Sequence, residues 1–315
     1  MITLTDHLQQ YIVIRRSFGY RLITPERVLR RFTEFADAQG ISHVTSDLFL
    51  RWKDEFGSAN NNTWSARLGM IRGFAQWLAS IDPLTTVPPA DLILGKARRT
   101  RPYIYTNEQV TAIVEEALKL PSGYGLRGLT CSTLFGLIAV TGLRVSEAIR
   151  LDDEDVDLDE AVVTVRRGKN GKSRFVPILP CTVSRLLLYR SERNRLVGNG
   201  TPGFFLFESG KRLTVSTAQY NFAQVCQKIG LRERVRFYKH GCGPRIHDLR
   251  HTFAVRTIVD WYRRGLDPDR EMSKLSTYLG HAAPENTYWY IEAVPELLQL
   301  ASKRAAHSMA KGGLK

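Results

Sequence analysis

A set of basic residues and a late tyrosine form the part of this chain whose types and spacing could do chemistry on an anion. Arg144 stands in Thr141-Gly142-Leu143-Arg144-Val145-Ser146-Glu147, just after a glycine turn and at the start of a helical pattern. A guanidinium beside the free backbone N–H groups of a helix start makes a phosphate clamp. Lys169 opens the turn Lys169-Asn170-Gly171-Lys172, from which a lysine can reach into a groove and deliver a proton; Lys172 competes for that role. In His247-Asp248-Leu249-Arg250-His251, His247 and Arg250 are i and i+3 on a helix and can address one phosphate, and His251 at i+4 can share that face. Leu279-Gly280-His281 is followed nine residues later by Tyr290, within Tyr288-Trp289-Tyr290. Each motif alone has a plainer reading: a surface arginine, a solvated turn lysine, a buried aromatic stripe. His240, Cys242, His247 and His251 could be counted as zinc ligands, but their spacing matches no standard zinc pattern.

Read in order, Arg144, Lys169, His247, Arg250, His281 and Tyr290 form a set that resembles the catalytic set of the tyrosine recombinase or phage integrase family, with its Xer-type and lambda-type members. The phrases T-G-L-R-V-S-E, H-D-L-R-H-T-F-A and Y-L-G-H carry the resemblance, together with the distance from His281 to Tyr290. Val294-Pro295-Glu296-Leu297-Leu298 is similar to the ending of integrase-like recombinases of mobile elements. The specific motifs span roughly residues 103–306, and residues 1–82 resemble the family's SAM-like helical core-binding domain more loosely. By the family's spacing the nucleophile is Tyr290 and not Tyr288, and the lysine is Lys169 and not Lys172.

The resemblance implies in-line displacement at a phosphodiester. Arg144 and Arg250 neutralise the charge that gathers on the non-bridging oxygens, and His281 adds a hydrogen bond. Tyr290 attacks, and a phenol with an ordinary pKa near ~10 needs help at neutral pH. His247 is expected to take its proton, Lys169 to protonate the leaving 5′-oxygen, and Glu147 to orient these groups. The product is a 3′-phosphotyrosine and a free 5′-hydroxyl. The covalent bond keeps the phosphodiester energy, so neither ATP nor a metal is called for, and no cofactor is expected. The sequence carries no P-loop and no carboxylate cluster of the two-metal type.

Those side chains must be positioned by a mainly α fold with a small β-sheet. Four helical patterns fill residues 1–82: one from Leu4, Leu8 and Tyr11; one through Val28, Phe32 and Phe35, opened by Thr24 and Pro25; one after Ser46; and one over Trp64–Leu78, beyond a break at Asn60–Asn62. Residues 83–102, with four prolines and the cluster Lys96, Arg98, Arg99 and Arg101, read as a basic linker. A catalytic domain follows over 103–315, with a helix start at Thr106 and a second helix through Leu134–Val140. A hairpin is expected in which Val163 and Val165 face Phe175, Val176 and Ile178 across Asn170-Gly171. The pattern then stays mainly helical to a last amphipathic stretch, Val294–Ala306. In the resembling family this region packs onto a neighbouring subunit, so a homo-tetramer on paired DNA sites is expected, assembled from free monomers.

Charge agrees with a polyanionic partner. Of a net +14 at neutral pH, residues 1–90 contribute only two charges. Seven basic residues and no acid lie between Glu160 and Glu192, among them Arg166, Arg167, Lys172 and Arg174. With Lys96, Arg98, Arg99 and Arg101, these are the candidate contacts to double-stranded DNA. The four cysteines form no C-x-x-C pair, and no apolar run approaches the ~20 residues that span a membrane. The expected compartment is the cytoplasm. Rival readings are a type IB topoisomerase-like enzyme, a catalytically silent DNA-binding homologue, and a basic RNA-binding protein.

Overall fold

The computed structural model describes residues 2–95, 101–166, 173–235, 238–280, 285–293 and 295–312, with backbone only at 235, 238–242, 285–286, 292–293 and 305–312. The chain divides into two compact units, Met1–Thr100 and Arg101–Lys315.

The first unit is a bundle of α1 (Leu4–Ser17), α2 (Ile23–Ala38), α3 (Ser46–Glu55) and α4 (Asn61–Leu78). The side chains of Thr3, Thr45 and Asn60 cap α1, α3 and α4 by accepting backbone N–H bonds. The asparagine run that breaks the periodicity is therefore the start signal of α4. Helix α2 begins earlier than Thr24 and Pro25 suggest, with Leu22 in the left-handed region as its N-cap. Phe32, Phe49, Trp52, Trp64 and Phe74 are buried at the centre, and Trp52 meets Phe32 and Trp64 edge-on at 5.4 and 5.5 Å. The first half of the expected linker is packed onto this bundle. Val87, Leu92 and Ile93 lie against its core, the Thr86 N–H donates to the Val44 carbonyl at 2.8 Å, and Arg72 Nε donates to the Pro88 carbonyl at 2.7 Å. Lys96, Arg98 and Arg99 lie outside the described residues.

In the second unit α5 (Asn107–Leu118) opens on a capping box between Thr106 and Gln109. It packs on α6 (Leu126–Thr141), a central helix buried on nearly all sides. Gly142, at φ +63°, ends α6, and α7 (Val145–Arg150) follows at once. The small sheet is antiparallel in the order β1 (Val156–Asp157), β2 (Val162–Val165), β3 (Arg174–Pro177), with Val163 opposite Val176 and Val165 opposite Arg174. Val163, Val165 and Val176 are buried, whereas Phe175 points out. The turn residues 167–172 lie outside the described residues. Next come α8 (Pro180–Val197), α9 (Val215–Lys228) and an antiparallel pair, β4 (Glu233–Val235) and β5 (Tyr238–Cys242). That pair has no counterpart in the sequence reading.

A second cluster of buried apolar residues is built from α10 (Ile246–Arg263), α11 (Pro268–Leu279), α12 (Glu285–Ala293) and α13 (Pro295–Gly312). The last helix docks on its own domain rather than standing free for a neighbour. Leu297 is fully buried in this cluster, Arg263 pairs with Glu296 at 3.1 Å, and Arg304 pairs with Asp267 at 2.8 Å. Among the described residues no helix is long and apolar enough to cross a membrane.

Candidate active site

The site is assembled around one buried carboxylate. Glu147 lies on α7 with its side chain 1% exposed. Arg144, the N-cap of the same helix, donates its backbone N–H to Oε2 at 3.0 Å and its Nη1 to Oε1 at 2.6 Å. Arg174 crosses from β3 and grips the carboxylate with two prongs, Nη1 to Oε1 at 3.2 Å and Nη2 to Oε2 at 2.8 Å. Arg250, from α10, brings its Nη1 to 4.0 Å from Oε2. Burial alone would raise the Glu147 pKa; the hydrogen bonds and charges of Arg174 and Arg144 outweigh it and hold the carboxyl down at about 2. Three guanidiniums thus share one carboxylate, and the cluster keeps an excess of positive charge.

The same arginines hold the C-terminus of α11. Arg174 Nε donates to the Tyr278 carbonyl at 2.7 Å, Arg250 Nη2 to that of Leu279 at 2.6 Å, and Arg144 Nη2 to that of Gly280 at 2.9 Å. Carbonyls at a helix end carry partial negative charge and have no partner within the helix, so cations fit there. Arg250 Nη1 also donates to the Gly142 carbonyl at 2.7 Å, tying α6 into the site. Both glycines are required. Each has φ +63°, and a Cβ would stand 2.5 Å from Phe253 Cδ1 at Gly142 and 3.0 Å from Arg174 Nη1 at Gly280. Arg250 is 1% exposed. Burial, then the charge of Arg144, lowers its pKa to about 10, so it stays cationic at neutral pH.

Tyr290 on α12 is buried at 2% exposure, while Tyr288 is 39% exposed. The Tyr290 hydroxyl meets Nδ1 of His251 at 2.9 Å. His247, expected as the partner of this hydroxyl, instead meets His251 edge-on with ring centroids 4.6 Å apart. Both histidines lie on one face of α10, as the spacing requires; the seat of α12 against α10 decides which of them faces Tyr290. His247 is exposed as a whole residue, while protein atoms crowd around its ring. That partial burial, and then the charges of Arg250, Arg144 and Arg245, push its pKa down to about 4. With the residue open to water, the three cations are the firmer cause. Beside His247 a cleft of about 410 Å³ opens, with Val145, Phe222, Ala223 and Ile246 as its apolar lining and Arg232 and Arg245 as its cations.

The structure thus brings Arg144, Glu147, His247, Arg250 and Tyr290 together. Lys169 and His281 lie outside the described residues, as do Arg167 and Lys172. Arg174, read from sequence as a DNA contact, is committed to Glu147 and α11, with its side chain 12% exposed. Arg166 is paired with Asp155 and, at 3.2 Å, with Glu154. Arg101 is exposed. Sequence reasoning placed His251 on the face shared by His247 and Arg250 and weighed it as a zinc ligand, but gave it no part in the proton transfer. It also missed the part of Arg174, because a run of cations does not reveal which of them turns inward. Among the described residues, no group of three His, Cys, Asp or Glu is arranged to hold a metal ion.

The profile of the phage integrase family matches residues 104–296. This chain belongs to that family. It is 39% identical to a putative integrase/recombinase of Sinorhizobium fredii, y4rB, over 96% of this chain and 97% of that protein. Against the tyrosine recombinase XerC of Herpetosiphon aurantiacus it is 32% identical, over 89% of this chain and 87% of that protein. Among solved structures it is similar in fold to the Tn1549 transposon integrase in complex with transposon right end DNA, at TM-score 0.64 and 16% identity, covering 96% of this chain and 99% of that one. The XerH site-specific recombinase bound to its difH substrate gives TM-score 0.62 at 20% identity, over 87% of this chain and 77% of that one. The chain is a tyrosine recombinase, an enzyme that breaks and rejoins DNA.

Proposed function

We propose that this recombinase cleaves double-stranded DNA by attack of Tyr290 on a backbone phosphate, leaving a 3′-phosphotyrosine and a free 5′-hydroxyl. One observation carries the reading. Arg144 and Arg250, held by the end of α11, share an excess positive charge through Glu147, and the same α10 that bears Arg250 seats the Tyr290 hydroxyl on His251. An anion entering beside Arg144 completes that charge balance, and the pentacoordinate state, with more charge on its oxygens, completes it better still. Arg144 is the accessible fork, its side chain 19% exposed. Arg250 and Tyr290 are both buried in the free protein, so admission of the phosphate requires their cover to part. On sequence alone, Lys169 protonates the leaving oxygen and His281 adds a donor to the phosphate.

A full exchange needs four cleavages on two duplexes, so the working form is a homo-tetramer on paired sites. The ending Val294-Pro295-Glu296-Leu297-Leu298 and the likeness to a transposon integrase support work on mobile-element DNA; the compartment that fits a DNA-acting recombinase is the cytoplasm. The test is covalent trapping. The protein is incubated with sheared genomic DNA of its host and denatured in detergent, and the DNA left on the protein is sequenced. The wild type yields adducts at one recurrent sequence. Tyr290→Phe yields none while binding the same duplex with nearly unchanged affinity. Adducts that persist in Tyr290→Phe and vanish in Tyr288→Phe overturn the assignment.

A further inference from the structure

We infer that His251 is a catalytic residue, the base that takes the proton of the Tyr290 hydroxyl as the tyrosine attacks. The inference rests on the reading of Tyr290 as nucleophile and adds an atom to it.

The geometry is direct. Nδ1 of His251 lies 2.9 Å from the phenol oxygen, and the two rings meet at 62° with centroids 5.5 Å apart. That is within the reach a general base requires. With its own proton on Nε2, a neutral imidazole presents a lone pair at Nδ1 and accepts from the phenol. The setting supplies an acceptor. In the free protein Tyr290 is 2% exposed, and Nδ1 of His251 already stands on its hydroxyl there. Neutral phenol is a weak nucleophile, and the nearby Arg250 guanidinium favours the phenolate without being able to hold a further proton. His247 is worse placed, since it touches the edge of His251 and opens toward solvent. In the free protein it is also uncharged at neutral pH, and so does not there oppose a positive charge on its neighbour.

The step balances. The phenol O–H bond breaks and its proton passes to Nδ1, giving an imidazolium. The phenol oxygen bonds to phosphorus, the bond from phosphorus to the 5′-oxygen breaks, and that oxygen takes its proton from the donor assigned to Lys169. In rejoining, a 5′-hydroxyl attacks phosphorus and gives its proton back to that donor. The departing tyrosine oxygen recovers its own from His251. One histidine thus serves both halves of the exchange.

The test uses the duplex recovered by covalent trapping, in single-turnover cleavage by the full chain. His251→Asn keeps an oxygen that accepts a hydrogen bond near the Nδ1 position but cannot take the proton. Its cleavage rate should fall about a hundredfold or more, the usual contribution of general base catalysis, with duplex affinity unchanged. Fluorotyrosine at position 290 is more acidic and needs less help, so it should narrow the gap between His251→Asn and wild type. Cleavage by His251→Asn near the wild-type rate overturns the inference. So does a loss that fluorotyrosine leaves undiminished, because His251 would then only position the ring. If His251→Asn does not fold, His251→Gln carries the same comparison. Adducts in Tyr290→Phe strike the nucleophile reading instead, so the two failures are distinct.

Discussion

At the scale of the residue, Glu147 organises the site without touching a reacting atom. A buried carboxylate with one arginine would be an ordinary ion pair; with three it leaves a standing demand for an anion. Removing one partner of such a buried group costs on the order of 3–5 kcal/mol, because the charges left behind stay buried. His247 reports on the same demand. Its pKa is held to about 4 partly by guanidiniums that a bound phosphate would neutralise. Its pKa should therefore rise when duplex DNA binds to Tyr290→Phe, and imidazole resonances followed against pH with and without the duplex measure the change. The bound state then takes up protons more readily than the free state. Affinity should increase as pH falls from the bound pKa toward the free one, by about tenfold for each pH unit that separates the two. A pKa that falls or stays fixed on binding shows that no phosphate sits by His247. The motifs made most of these residues legible, because Arg144, His247, Arg250 and Tyr290 declare themselves by type and order. The inward turn of Arg174 and the rank of His251 over His247 were not legible. Both depend on how β3 and α12 seat against α10 and α11, a tertiary matter on which i, i+3 and i+4 spacing is silent.

At the scale of the element, the capped helices were readable, since Thr45, Asn60 and Thr106 signal starts by local hydrogen bonding. The strand pair was readable too, from alternating valines around Asn170-Gly171. Residues 83–95 were not: prolines suggest a free tether, while Val87, Leu92 and Ile93 bury themselves on the bundle. The last helix holds the clearest energetic contrast. Leu297 is fully buried where α13 meets α10, whereas Arg304 and Asp267 are 45% and 42% exposed in their side chains. Leu297→Ala should cost roughly 2–5 kcal/mol, the range for buried large-to-small changes. Arg304→Ala should cost under about 1 kcal/mol, the range for surface pairs. Urea unfolding of both variants measures the difference, and near-equal costs would show that α13 is held by charge rather than by its apolar face.

At the scale of the whole molecule, two compact units carry unequal charge. Residues 1–90 are nearly neutral, and most of the +14 follows them. If both units touch the backbone of the duplex, residues 101–315 alone should bind more weakly, and with a shallower dependence on salt, than the full chain. Equal affinity and slope, measured by titration of a labelled duplex over a range of salt, would assign the whole grip to the second unit.

The docking of α13 on its own domain bears on how copies of the chain could join. The groove that holds Leu297 and the carboxylate that holds Arg304 exist on every copy, so a helix lent to a neighbour makes the same contacts it gives up. Exchange between copies would then be close to neutral in contact energy and governed by local concentration. A lone copy in dilute solution keeps its helix. Two copies fixed side by side on DNA see one another at an effective concentration set by the spacing of their sites. The separation of two DNA sites, a number written in base pairs, would then decide which protein molecule holds which helix.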